Sequence, residues 1–225
     1  MQKISLNLVA IAIFLGTMSI LLGPFLHISH TIPAVVTFLG LGLATVDNLT
    51  WQGRGVTLLL DTIARVSPEY RQRILHHEAG HFLVAHLLGI PITGYSLSAW
   101  EALRQGNPGQ GGVSFAPPDI TSSISANLLQ QYCHVWMAGI AAESIVYGTT
   151  EGGREDREQL QTAFRLIKRP VSQAQTQERH SILQAKTLIK DNKAAYDSLV
   201  QAMAENTPIT DCFQIIEQHR EPAAS

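Results

Sequence analysis

The most chemically specific run in the chain is His77-Glu78-Ala79-Gly80-His81, the pattern H-E-x-x-H. Residues four apart on a helix share a face, with Cβ atoms roughly 5–6 Å apart, so both imidazoles can reach one metal ion. Neutral imidazole nitrogen suits zinc, whose catalytic sites take three protein ligands and keep a fourth position open. Such an ion lowers the pKa of its water from about 15.7 to about 7 and polarises a peptide carbonyl. Glu78, next to the first ligand, is then placed to take the proton of that water as general base and to pass it to the leaving amine. The spacing predicts His77 and His81 as zinc ligands and Glu78 as the base. His76 and His86 lie off this spacing and are read as surface or supporting groups.

The element that must present these residues is a helix over Ser67–Gly89. Ser67 suits the N-cap, Pro68 the first turn, Glu69 the positive end of the helix dipole, and Gly89 the stop. Ile74, Leu75, Phe82, Leu83, Val84, Leu87 and Leu88 give it apolar cover, and Ala79 and Gly80 allow close packing.

A third ligand must come from elsewhere. The metzincin arrangement would place its Gly and third His at Val84 and Leu87, which excludes it. Two later segments supply carboxylates. Cys133–Gly148 is an expected helix containing Glu143, and Thr149–Leu166 is a glycine-containing loop leading into a helix that begins near Asp156. Spacing alone leaves Glu143 and Asp156 both open. Glu101, in the polar run WEALRQGNPGQ, lacks the surroundings of a thermolysin-like ligand.

HEAGH, then A-G-x-A-A-E-x-x-x-x-G over Ala138–Gly148, then T-T-x-G-x-x-x-D over Thr149–Asp156, resembles the peptidase domain of FtsH-type membrane zinc proteases. The resemblance spans roughly Arg71–Arg169. It implies His77, His81 and Asp156 as zinc ligands and Glu78 as base, with Arg165 matching a further Arg and Glu143 in a supporting or packing role. Glu155 is the neighbouring carboxylate that a one-residue slip would select. That family also carries an AAA ATPase, whose P-loop needs G-x-x-x-x-G-K-[ST]. No Gly-Lys pair occurs here, and only about 20 residues separate Val46 from Ser67, so ATP-driven threading is not implied. The segments around HEAGH and EGGREDREQL are most similar to small ATPase-less relatives of cyanobacteria and plastids.

Charge divides the 225 residues unevenly: no Asp, Glu, Lys or Arg occurs between Lys3 and Asp47. Ile4–Gly23 matches the roughly 20 apolar residues that cross a bilayer. Ile32–Val46 is read as the return leg of a transmembrane hairpin, with Lys3, Arg54 and Arg65 placing both ends on the cytoplasmic or stromal side. The expected membrane is thylakoid or plasma membrane. The net charge of −2 carries no electrostatic footprint for nucleic acid, and Cys133 and Cys212 form no paired motif.

The expected architecture is mainly α: a transmembrane helical hairpin followed by a helical zincin-like peptidase domain with a small β-hairpin. Residues 1–50 form the anchor, 51–66 a juxtamembrane linker and 67–225 the peptidase domain. Ile92–Ser98 and Gly111–Ala116 are the strand candidates, and Val171–Glu217 forms two or three packed helices. The expected function is ATP-independent zinc endopeptidase activity on unfolded or membrane-proximal protein segments, with the bilayer as partner and homo-oligomerisation open. The alternative is a non-proteolytic membrane adaptor or chaperone on the same fold. An intramembrane site-2-type protease is disfavoured by Glu69, Arg71 and Arg73 just before the motif and by the lack of an L-D-G motif.

Overall fold

A computed structural model describes residues 13–23, 25, 27, 29, 31–51, 55, 58, 59, 62, 63, 66–104, 111–116 and 125–220. It is mainly helical. Helix α1 covers residues 13–22 and α2 covers Thr31–Trp51, running past the last apolar residue expected for the return leg. Beyond that leg, Asp47 Oδ1 accepts the Gly55 N–H at 2.8 Å. Large apolar side chains stand exposed on both helices, Phe14, Leu21, Phe38 and Leu43 among them. Among the described residues no helix is long and apolar enough to cross a membrane. The first part of the expected span Ile4–Gly23, up to residue 12, lies outside the described residues, as do most residues of the 51–66 linker and the end beyond 220.

Helix α3, Pro68–Leu87, starts where the sequence signals it: the Ser67 hydroxyl accepts the Tyr70 N–H at 3.3 Å, and Pro68 sits in the first turn. Its middle, from Leu75 to Ala85, is buried on nearly every side except His76. That makes it the central helix rather than an amphipathic one lying on a surface. Strand β1, Ile92–Ser96, and strand β2, Gly112–Phe115, pair antiparallel with Tyr95 opposite Val113. Both are shorter than the expected strands. Between them the polar run begins with a short helix, α4, Ala99–Arg104, in place of a plain turn. Ser98 Oγ accepts the Glu101 N–H at 2.9 Å to start it, and Ala99 and Ala102 are buried beneath it.

Helix α5, Ala126–Tyr147, begins seven residues before the expected Cys133. Ser125 caps it through the Leu128 N–H, and Leu128, Leu129 and Tyr132 pack on the core, so the helix extends backwards over polar neighbours. Helix α6, Arg154–Leu166, follows a short loop, and α7, Val171–Asp191, α8, Lys193–Ala204, and α9, Ile209–His219, complete the chain. Tyr196 of α8 is fully buried, and its hydroxyl donates to the His76 carbonyl at 2.9 Å, fixing α8 against α3.

The crossing of α3 and α5 sets the spacing of the whole domain. A Cβ on Gly80 would lie 2.7 Å from the Ala138 carbonyl oxygen and 2.7 Å from the Ala142 Cβ, so only glycine lets the backbones approach this closely. Because the obstacle is largely backbone, Gly80→Ala is expected to be destabilising. Overpacking of about 1–3 kcal/mol outweighs a helix-propensity gain of about 1 kcal/mol, and the thermal midpoint should fall by about 2–8 °C. A melt monitored by circular dichroism reads this directly; an unchanged midpoint would mean the two helices do not meet at that crossing.

Candidate metal centre

His77 and His81 sit one turn apart on α3, with ring centroids separated by 4.8 Å. Asp156, in the first turn of α6, reaches across to both: Oδ2 lies 3.1 Å from His77 Nε2 and Oδ1 lies 3.4 Å from His81 Nε2. The three residues form a largely buried group whose ligand atoms all fall within 4.8 Å of one another, a group that could hold a metal ion. The neighbouring carboxylate, Glu155, is not part of it.

The other ring nitrogen of each histidine is already committed. His77 Nδ1–H donates to Glu143 Oε1 at 2.8 Å, and His81 Nδ1–H donates to the Val135 carbonyl at 2.7 Å. Both contacts come from α5, and both fix the ring so that Nε2 points inward. The donor set therefore fits a divalent metal: two oriented imidazoles and one carboxylate. The packing allows it only through small residues, since a Cβ on Gly139 would fall 2.3 Å from His77 Nε2.

Glu143, 1% exposed, does more than orient one ring. Its Oε2 accepts from Arg73 Nη1 at 3.0 Å and from the Glu151 N–H at 2.8 Å, and its Oε1 accepts from the Gly152 N–H at 3.2 Å. Burial by itself would raise its pKa. The His77 hydrogen bond, the Glu151 N–H and Arg73 outweigh burial and bring it down to about 2. Arg73 is held in turn by the Tyr147 ring, 4.3 Å from its guanidinium carbon, and by the Thr149 carbonyl. The loop that launches α6, and hence Asp156, is thus pinned to the same carboxylate that orients His77.

The remaining charges follow from this geometry. Burial opposes protonation of His77, but the hydrogen bonds to Asp156 and Glu143 prevail and raise its pKa to about 10. Asp156 is pushed up by burial and pulled further down by His81 and by hydrogen bonds from both imidazoles, so it stays ionised well below the usual carboxylate range. His77 Nε2, the atom a metal would take, faces Asp156 Oδ2, so a metal and a proton would compete for it.

Glu78 lies on the same helix, 9% exposed. Its Oε2 accepts the Val113 N–H of β2 at 2.9 Å. Burial is the main influence on it and raises its pKa, against the attraction of His81 and His77. Of the other residues singled out by sequence, His76 bonds to the Tyr196 hydroxyl and His86 stacks on Phe213 and pairs with Glu217. Glu101 accepts the Leu97 N–H, and Arg165 donates to Thr162 on the surface of α6. None of these joins the group. Two contributors escape any sequence reading, the Val135 carbonyl and the Val113 N–H, because backbone groups carry no residue signature. Compared with known protein families and with curated proteins, the chain matches none.

Glu143→Gln should keep the fold yet loosen the centre, lowering metal affinity about 10–100-fold, as losing a partner of a ligating His does elsewhere. Competition against a chromophoric chelator measures it. The same variant tests acid stability. Glu143 has a folded pKa of about 2 against an ordinary 4.5, so its contribution is present above about 4.5 and disappears as the pH falls through 2. The metal-free wild type should lose stability faster than the variant across that window in pH-dependent urea titrations.

Proposed function

We propose that the chain is a membrane-anchored, ATP-independent zinc endopeptidase similar to the FtsH-type peptidase domain. The observation that carries this reading is the convergence of His77, His81 and Asp156 on one point with the Glu78 carboxylate beside it. The Asp156 oxygens lie 3.1 and 3.4 Å from the imidazole nitrogens, near the edge of about 3.3 Å that a tetrahedron with bonds of about 2.0 Å would have. Zinc is the ion that best suits such a nitrogen and oxygen set.

A bound zinc supplies the positive charge that polarises the scissile carbonyl and acidifies a water molecule. The protein supplies the rest. Glu143 and the Val135 carbonyl hold the two rings in the tautomer that leaves Nε2 as ligand. Glu78, anchored through Oε2 by the Val113 N–H, takes the proton of the attacking water on Oε1 and delivers it to the leaving nitrogen. Strand β2, which supplies that N–H, borders the site and offers an extended substrate a neighbour to lie along.

Membrane attachment rests on the uncharged run from Ile4 to Val46 and on the exposed apolar faces of α1 and α2, with the peptidase domain on the cytoplasmic or stromal side of a thylakoid or plasma membrane. The expected substrates are unfolded or membrane-proximal protein segments. On this ATP-independent reading, the segment reaches the site already extended.

The purified chain, loaded with zinc and given no ATP, is expected to cleave an unfolded casein-like protein. Glu78→Gln should reduce the rate by about 100-fold or more with zinc content unchanged, whereas Asp156→Ala should lose the metal. Zinc bound at full occupancy, with no turnover by the wild type on several unfolded substrates, would replace this reading with the adaptor or chaperone.

A further inference from the structure

A half-open pocket of about 560 Å³ is lined by the first part of α3, by Leu97 and Ser98 and by α4. Leu75 and Leu97 line its inner part, the Trp100 indole stands at its side half exposed, and Arg71 and Arg104 reach it from α3 and α4. Arg71, Leu75 and Glu78 follow each other at spacings of four and three, so all three project from one face of α3. At about 1.5 Å per residue, the Arg71 backbone is about 10 Å along the axis from Glu78. The pocket is therefore a continuation of the face that carries the base.

Its charge is unbalanced. Among the described residues neither Arg71 nor Arg104 has a hydrogen-bond or ion-pair partner for its side chain. The carboxylate in the lining, Glu101, is turned to the backbone, where Oε2 accepts the Leu97 N–H at 2.8 Å. Two guanidiniums facing one hydrogen-bonded carboxylate leave a net positive pocket with an apolar interior. Guanidinium forks match carboxylates in geometry and charge.

We propose that this pocket is a substrate subsite for an acidic side chain, with Arg71 and Arg104 as the specificity-determining residues. The proposal rests on the peptidase reading above. An extended peptide advances about 3.3 Å per residue, so a Glu or Asp three or four residues from the bond held at Glu78 reaches the arginines. The aliphatic part of that side chain and its neighbours then lie on Leu75, Leu97 and the Trp100 ring. The indole N–H donates to Thr62 Oγ1 at 3.2 Å, which places the pocket against the segment leading from the anchor. A substrate entering from the membrane side thus meets the acid-selective pocket close to the catalytic centre.

Binding and cleavage test this separately. Zinc-loaded, full-length Glu78→Gln protein in detergent is titrated by fluorescence anisotropy with a fluorescein-labelled unfolded peptide carrying two Glu residues, and with its Gln counterpart. The Glu peptide is expected to bind about fivefold more tightly, as two partly screened charge pairs would give. Adding Arg71→Glu and Arg104→Glu should abolish the difference, and Arg104→Gln alone should reduce it. In the wild type, cleavage sites mapped by mass spectrometry in a mixed peptide pool should show Asp or Glu enriched three or four residues from the cut, and the double reversal should remove the enrichment.

Equal binding of the two peptides, or a preference that survives both reversals, overturns the subsite. Equal peptide binding together with an arginine-dependent gain in flotation on phosphatidylglycerol vesicles would reassign the pocket to an anionic lipid headgroup. A Glu preference in binding without any cleavage by the wild type keeps the pocket and overturns the peptidase reading.

Discussion

The ion-pair network around the Glu143 carboxylate is the constraint from which the rest of the centre follows. An isolated buried carboxylate is too costly to remain ionised, so it survives only where hydrogen bonds and opposite charge compensate it. Here Arg73, His77 and the N–H groups of Glu151 and Gly152 converge on its two oxygens. Those partners come from α3 and from the loop before α6, while Glu143 itself belongs to α5. One side chain therefore sets the register of α5, of the loop that follows it and of the sequence-distant α3. If any of them shifts, a donor or the carboxylate is left unpaired in a dry interior. The placement of Asp156 opposite the two imidazoles is a consequence of that register, because the loop has only a few residues in which to drift.

Helix–helix geometry supports the same outcome by a different route. Gly80 allows α3 and α5 to touch, and Gly139 leaves the volume in which the His77 ring lies. With larger residues at these two places the helices would separate, and the contacts from α5 to His77 and His81 would lengthen beyond hydrogen-bond range. Core packing and ligand orientation are thus one arrangement, not a scaffold with a site added to it. The burial of α3 on almost all sides fits this: a helix that must present His77, Glu78 and His81 inward cannot also turn that face to water.

Legibility from the sequence followed the range of the interactions. The H-E-x-x-H face, the Ser67 cap and the helical character of the chain depend on neighbours a few residues apart, and local pattern exposes them. Asp156 is far from His77 in sequence, and periodicity does not distinguish it from Glu143 or Glu155; only resemblance to a family selects it. Helix α5 starts ahead of Cys133 because Ser125 caps it and the core receives Leu128 and Leu129, which polar neighbours surround in the sequence. The helix Ala99–Arg104 is held by the burial of Ala99 and Ala102, residues whose small side chains give a weak pattern in a polar run. The Val113 N–H and Val135 carbonyl lie beyond any reading of side chains.

The three carboxylates closest to the imidazoles have the same chemistry in water and different chemistry here. Asp156 faces both rings and Glu143 faces a ring, a guanidinium and two amides, so each is held in its ionised form. Glu78 is as deeply placed but receives one backbone hydrogen bond, and burial raises its proton affinity instead. A ligand and an orienting group need a charge that does not fluctuate, whereas a base must both accept and release a proton near neutral pH. Environments that push apparently equivalent acids in opposite directions are what such a division of roles needs. That division is the one the proposed peptidase reading requires, with Glu78 as proton carrier, Asp156 as ligand and Glu143 as support.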